Sequence, residues 1–523
     1  MEITCGKCGS PHLIKRGTVT KSSGTVAQRF VCSDCHRWMN VDISFNPPEQ
    51  QTEFDYSEQI DDYEYESGNK TFVITCAVND TPVHEGFLKS LENYCAVNSA
   101  ELIIVPVKYH RGKMLEEPEL VWPDSIQKYL FAENKKLMKG LKLFGGLHIS
   151  PSIGNPLSGF DSFSKGDSII IPHSQLQMRS IAVSHTDNAA IMTTTGAITL
   201  PIYTETKQGE KASFNHSFSA VMVESDDEHG CFHMRHLSAS SDGSFYDLKH
   251  KYGPDYVEAS ESIPAIVLGD LHVEFIDPVV AAATFAKGGI IDYLKPKKII
   301  AGDILDAYSI SHHHEKNIFT KFAKYGSGRN KIDEELHRTV SFIVDNTPEG
   351  SEFIVNTSNH NSHLLKYLNE CQIKNEPWNM LFYHEMMYLM LRETKMGKEG
   401  AVYPNPLALW AENNYNCENI KFLSGTDSYK VMGIECAYHG DRGLNGSRGS
   451  VEQYANLGFK SIIQHSHSPK IERGSYQVGH SCYSKLEYNI GSPSSWMHSH
   501  VVIQPNGKRQ HIHIINGNWK RRR

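Results

Sequence analysis

The sequence lacks the features that membrane and secreted proteins need. No stretch approaches the roughly 18 apolar residues required to cross a bilayer, and 39% hydrophobic and 21% charged residues describe a soluble globular chain. The N-terminus, MEITCGKCGS, has no basic segment followed by an apolar one and no small-residue cleavage site, so nothing in it is expected to direct secretion. Cysteine is sparse. Of eleven, Cys5, Cys8, Cys32 and Cys35 form two C-x-x-C pairs, and the other seven are scattered and odd in number. That pattern excludes a disulfide framework and fits a reducing compartment, expected to be the cytoplasm, with one cysteine-bound metal. An overall basic charge is also missing, because the formal net charge is -8.

The distribution of charge is more informative than its sum. Residues 1–40 carry +4 and residues 508–523 carry +6, which leaves -18 on the remainder. Basic ends on an acidic body point to local rather than global contact with a polyanion. Histidine is abundant, at 28 residues, and 16 of them follow residue 263. Clustered imidazole is a reason to look for metal ligands.

Four segments follow from composition and periodicity. Residues 1–45 read as a zinc ribbon with spacing C-x2-C-x23-C-x2-C, in which four thiolates close a tetrahedron and the metal supplies folding energy that so few apolar side chains cannot. Its cations, Lys15 and Arg16 among them, make DNA contact or a protein partner the two expected uses of the ribbon. Residues 46–69 form an acidic linker, with seven acidic residues among the fourteen from Glu53 to Glu66. Residues 70–258 read as an α+β domain of unassigned role. There TFVITCAVN and ELIIVPVKY are strands flanking a helix and expected to be parallel, a polar helix is expected near 124–142, and later apolar runs, including GAITLPIYT, read as strands. This domain is the expected route to a homo-oligomer. Residues 259–523 alternate strand and helix and end in the basic tail Lys520–Arg523.

In that last segment every polar cluster falls just after an apolar strand, the position at which strand ends present side chains at one rim of a sheet. The clusters are Asp270-x-His272, Gly302-Asp303 with Asp306, Asn359-His360, His439-Gly440 and His465-x-His467. One D-x-H or H-x-H is weak evidence in a histidine-rich chain. Five clusters in this order are not.

Taken together, the motifs resemble those of the calcineurin-like metallophosphoesterase superfamily, whose pattern is D-x-H, G-D-x-x-D, G-N-H-D/E, an isolated H, and G-H-x-H. The resemblance covers residues 264 to about 515 and implies a β-sandwich flanked by helices, with two divalent ions, manganese being the expected metal. It implies that Asp270, His272 and His467 hold one ion, that Asn359, His439 and His465 hold the other, and that Asp303 bridges them. It further implies a metal-bridging hydroxide as nucleophile, His360 as the acid beside the leaving alkoxide, and Asp306 as a residue that orients His360 or a ligand. The pattern departs from the family at Ser358, Asn361 and Gln464, where glycine, an acid and glycine are usual. GDILDAYSISHHHEK and NHNSHLLKYL are similar to segments of phage-encoded members, and a ribbon joined through an extra domain to such an enzyme is similar to the pre-early host-DNA-degrading nucleases of T-odd siphophages. His312, His313 and His314 are weaker candidates for substrate phosphate.

The resulting expectation is a metal-dependent DNA nuclease acting in the host cytoplasm. A phosphatase or phosphodiesterase acting on a small molecule or phosphoprotein could use the same site. A DNA-binding or polymerase-binding factor with a degenerate site is the non-enzymatic alternative.

Overall fold

The computed structural model describes residues 4–20, 26–42, 68, 70–111, 120–184, 190–398, 400–487 and 489–521. Nearly all of the expected acidic linker, 46–69, lies outside these residues. The chain divides into two compact units, Met1–Gln59 and Ile60–Arg523. No helix among the described residues is long and apolar enough to cross a membrane.

The first unit is a three-stranded antiparallel sheet of Leu13–Thr20, Val26–Cys32 and Trp38–Asp42. The turns that hold the cysteines are built alike. Gly9 N–H donates to the Cys5 carbonyl and His36 N–H to the Cys32 carbonyl, and Gly9 and His36 both adopt a left-handed backbone, at φ 72° and 54°. Each C-x-x-C therefore closes on itself through local chemistry. Lys15, Arg16 and Arg29 are exposed.

In the second unit, period-two alternation decides which way each strand faces. A six-stranded sheet runs in the order Ile420–Phe422, Glu352–Val355, Lys298–Ala301, Ala265–Val267, Ser499–Ile503, Arg509–His513. Its first four strands are parallel and its last two pair antiparallel. Ile266, Ile299, Phe353, Val355 and Val502 face helices that supply Ile291, Leu336, Val340, Leu364 and Trp410. Their neighbours Val267, Ile300, Ile354, Val501 and Ile503 enter a second core with Ile170, Met178, Ile434, Ile462 and Ile471. Fully burying side chains of this kind stabilises by about 1.5–3 kcal/mol each.

The partners in that second core belong to a ten-stranded sheet. It contains Ile434–Glu435, Lys460–Ile463, Lys470–Glu472 and Ser475–Gln477 from the C-terminal segment, and Gln177–Ile181, Ala190–Thr194 and Ser168–Ile171 from the middle one. Lys470–Glu472 pairs directly with Gln177–Ile181, so one sheet crosses the residue-258 boundary drawn from sequence. The result is a mixed α/β architecture in which these two sheets face each other and helices cover the other face of the six-stranded one.

In the middle segment Thr71–Val78, the helix Glu85–Asn98 and Glu101–Val107 form the expected unit, with the two strands parallel. Two expectations are corrected there. The segment near 124–142 is not one helix but a short 3-10 turn, Asp124–Tyr129, followed by the hairpin strands Asn134–Met138 and Leu141–Phe144. Gly140 at φ 77° makes the reversal that a helix cannot contain, and Leu137, Leu141 and Leu143 are buried in the main core. The run GAITLPIYT forms isolated bridges at Ala197 and Thr199 rather than a strand. The basic tail is partly docked: Lys520 lies 3.6 Å over the Tyr293 ring, and the Arg521 guanidinium donates to the Ser225 carbonyl and the Thr71 hydroxyl.

Candidate metal centre

Five strands deliver the candidate residues. Ala265–Val267 leads into Asp270 and His272, Lys298–Ala301 into Asp303 and Asp306, Glu352–Val355 into Asn359 and His360, Ile434–Glu435 into His439, and Lys460–Ile463 into His465 and His467. Four of these residues adopt left-handed backbone conformations: His272 (φ 42°), Asp303 (38°), His465 (79°) and His467 (61°). That conformation is costly for any side chain larger than glycine's, so the surrounding structure must impose it.

Part of the restraint comes from Gln464 and Asn356, which sequence reasoning did not single out as functional. Gln464 donates from its amide to the Leu268 carbonyl at 3.1 Å and accepts from the Asn356 amide at 3.0 Å. Asn356 donates also to the Cys436 carbonyl at 2.8 Å. Two buried amides thus tie four strand ends together. Gly302 is needed for the same crossing, because a Cβ there would lie 2.5 Å from His439 Nδ1 and 2.6 Å from Gln464 Oε1. A glycine at position 464 could not form this clamp. Asn361 accepts from Leu305 N–H and donates to the Asn356 carbonyl, joining two of the loops. For Gln464 the available signal was its place beside His465 in the sequence; nothing there marked Asn356.

The loops converge on a buried cluster. His272 Nε2 lies 3.2 Å from His467 Nε2, and His467 Nε2 lies 3.3 Å from Asp270 Oδ2. Asp303 Oδ2 lies 3.1 Å from His439 Nε2 and 3.7 Å from His272 Nε2. Asp303 therefore stands between the His272 and His439 imidazoles. The rings of His439 and His465 are 5.2 Å apart, and those of His272 and His360 4.7 Å. Asp306 acts through two different atoms. Its carboxylate meets His272 Nδ1 at 3.0 Å, while its carbonyl accepts from His360 Nδ1 at 2.8 Å. The first orients a candidate ligand, and the second sets the tautomer of His360 with Nε2 facing away from the carbonyl.

Electrostatics shows a strong demand for positive charge. Burial would raise the carboxyls of Asp303 and Asp270, yet the imidazoles, His439 foremost, hold Asp303 well below the usual range and Asp270 below it. Burial would depress His272 and His439, but hydrogen bonding to Asp306 and the charge of Asp303 lift His272 to about 8, and Asp303 and Asp270 lift His439 to about 9.

A divalent cation fits this donor set. Asn359 Oδ1 and His467 Nδ1 are buried without hydrogen-bond partners, and Asp270 Oδ1 and His439 Nδ1 meet only each other, at 3.8 Å, an expensive arrangement in low dielectric unless something else occupies them. Asp270, His272 and His467 present one ligand atom each within 4.8 Å of one another, as do His272, Asp303 and His360. Separations near 3.2 Å between imidazole nitrogens suit two ligands about 2.1 Å from a shared ion.

The four cysteines fit a separate metal. Cys5, Cys8, Cys32 and Cys35 converge, with Cys5–Cys35 and Cys8–Cys32 Sγ separations of 3.6 Å. A disulfide would require about 2.05 Å, whereas the edge of a Zn–S tetrahedron is about 3.8 Å. Backbone N–H groups of Lys7 and Cys8 draw the Cys5 thiol down to about 6, favouring the thiolate.

Of the weaker candidates, His314 Nε2 is held by Glu487 at 3.0 Å and His313 is exposed beside His312. His312 packs on His363, which packs on His360.

Among curated proteins the chain is similar to "Protein A1" of Escherichia phage T5, with 30% identity over 481 residues that cover 88% of this chain and 85% of that protein. No family model and no solved structure matches.

Proposed function

From the premise that the chain belongs to the family of phage T5 protein A1, we propose that it is a phage-encoded dimetal phosphodiesterase with a calcineurin-like catalytic domain, and that its substrate is DNA. The observation that carries the proposal is the convergence of Asp270, His272, Asp303, His439 and His467 from separate strand ends on buried, partly unpartnered donor atoms. In it Asp270, His272 and His467 would hold one ion, Asn359, His439 and His465 the other, and Asp303 both. Mixed imidazole and carboxylate donors favour manganese over magnesium. When bound, a metal pair supplies a water nucleophile of lowered pKa and stabilises charge on a phosphoryl group.

The protein's own groups complete the reaction. Asp306 orients His272 with its carboxylate and His360 with its carbonyl. His360 Nε2 is then the atom that holds a proton for the leaving alkoxide. Gln464, Asn356 and Gly302 keep the loops at their close approach. Preorganisation of this kind lets the donors act without rearranging during the reaction. The ribbon, with zinc on Cys5, Cys8, Cys32 and Cys35, has closed coordination and no chemistry of its own. Lys15, Arg16 and Arg29 equip it to recruit a polyanion.

The test is incubation of the purified protein with plasmid DNA and with bis-p-nitrophenyl phosphate, with Mn(II) or with EDTA. Cleavage of both, lost in EDTA and restored by Mn(II), is expected. Cleavage of the small diester alone would move the substrate to a small molecule. Cleavage of neither by protein carrying metal beyond the ribbon zinc would overturn the enzymatic reading.

A further inference from the structure

A strongly basic concave surface of the acidic Ile60–Arg523 unit lies outside the metal centre. A cavity of about 800 Å3 is lined by Lys211, Lys460, Arg473, Lys508 and Arg509, and no carboxylate lines it among the described residues. The Ile60–Arg523 unit carries -7, from -13 on residues 60–507 and +6 on residues 508–523, so a groove with cations and no acids is a local inversion of the background charge. Arg473 meets Glu472 at its edge. Lys211, Lys460, Lys508 and Arg509 have no carboxylate partner among the described residues.

The cations are also crowded. Arg509 is buried, donates to the carbonyls of Ser461 and Gly474, and lies 4.0 Å over the Tyr476 ring. Burial and then the neighbouring charges of Lys460 and Arg509 pull the Lys508 ammonium down, and burial and Arg509 do the same to Lys460. Like charges held together in a half-buried cleft are costly until an anion enters. Among them stands Phe214, 89% exposed at the end of the helix Lys207–Asn215. A large apolar ring fully offered to solvent beside such cations suits a base that stacks while its backbone is neutralised.

Position links this groove to the centre. A second cavity, of about 570 Å3, is lined by the candidate ligand His439 together with Gly440, Asp441 and Arg442. Leu457 and Phe459 line both cavities. The basic groove therefore adjoins the cavity that His439 lines.

We infer that the groove is a DNA exosite, in which Lys211, Lys460 and Lys508 hold the sugar–phosphate backbone of a single strand, the buried Arg509 adds its charge from beneath, and Phe214 stacks on one of its bases. This rests on the phosphodiesterase reading and names how its substrate is held away from the scissile phosphate. Every base has a stackable face and every backbone the same charge, so binding here is independent of sequence.

The experiment uses the full chain, the charge-reversed pair Lys460→Glu/Lys508→Glu, the charge-keeping pair Lys460→Arg/Lys508→Arg, and Phe214→Ala. Binding of a fluorescein-labelled single-stranded 20-mer is measured by anisotropy without added Mn(II) and with the ribbon zinc kept, across a salt series, and turnover of DNA and of bis-p-nitrophenyl phosphate is measured with Mn(II). Charge reversal is expected to weaken DNA binding at least tenfold and to flatten the log K against log salt slope by about 1.4, or about 0.7 for each of two phosphates no longer neutralised. The ratio of DNA to small-diester turnover should fall with it, and the Arg pair should restore both. Phe214→Ala should weaken binding several-fold with the salt slope kept. Unchanged affinity and slope in the reversed pair, with the fold intact by thermal melting, would overturn the exosite. If the wild-type chain binds DNA through the groove but hydrolyses neither substrate, the groove stands and the enzymatic reading falls.

Discussion

The ribbon and the strand-end centre are both candidate metal sites, but they are assembled in opposite ways. The four cysteines come from two windows of four residues, each closed by its own turn. The strand-end residues come from five loops spread from Asp270 to His467, held by a two-sheet core and an amide clamp. A local site depends on its metal for its fold, and a distributed site depends on its fold for its metal. Removing metal should therefore unfold the first and leave the second standing.

The largest effect that would test this contrast is expected from Asp303→Ala. Asp303 is the carboxylate between the His272 and His439 imidazoles, so its loss should empty the strand-end centre of both ions and abolish turnover, while the ribbon keeps its zinc. Metal analysis should fall to one ion per chain. Retention of three would show that the centre does not hang on Asp303.

His360→Ala should separate chemistry from metal binding. Turnover is expected to drop by about 10²- to 10⁴-fold, the range for a positioned acid, with metal content kept. Parallel loss of metal would make His360 a ligand, as its grouping with His272 and Asp303 allows.

Gln464→Ala removes the clamp and leaves the buried Asn356 amide short of a partner. It should destabilise the Ile60–Arg523 unit by about 1–3 kcal/mol and lower turnover by loosening the loops. A denaturant melt, which should show no change in the ribbon, reads the first effect.

The smallest effect is a pH dependence. In the metal-free protein His272 at about 8 and His439 at about 9 lie above the ordinary imidazole value of 6.5. Their protonated forms stabilise that fold fully below about pH 6.5, and the contribution is lost as pH rises through about 8 and 9. Metal-free protein should therefore lose melting temperature between about pH 7 and 9 while metal-loaded protein does not, because a cation replaces those protons. Calorimetry in buffers of different ionisation enthalpy should show about two protons released on metal uptake near pH 7. No proton release would mean that the carboxylates are satisfied some other way.

The cysteine ligands of the ribbon, the order of motifs along the chain at the candidate centre and the alternation that sets which face of each strand is buried could all be read from residue order. They are legible because they depend on spacing and period over short windows. Other features came into being only when distant segments packed. The pairing of Gln177–Ile181 with Lys470–Glu472 joined the middle and C-terminal segments in one sheet. A turn and hairpin, stabilised by burial in the shared core, took the place of the helix expected near 124–142. The Gln464–Asn356 clamp formed between residues 108 positions apart. Lys211 came to lie on the same groove as Lys460 and Lys508, cations that are far from it in the chain and unremarkable singly. Such contacts depend on which surfaces meet when the cores close, and local propensity carries no record of a partner hundreds of residues away.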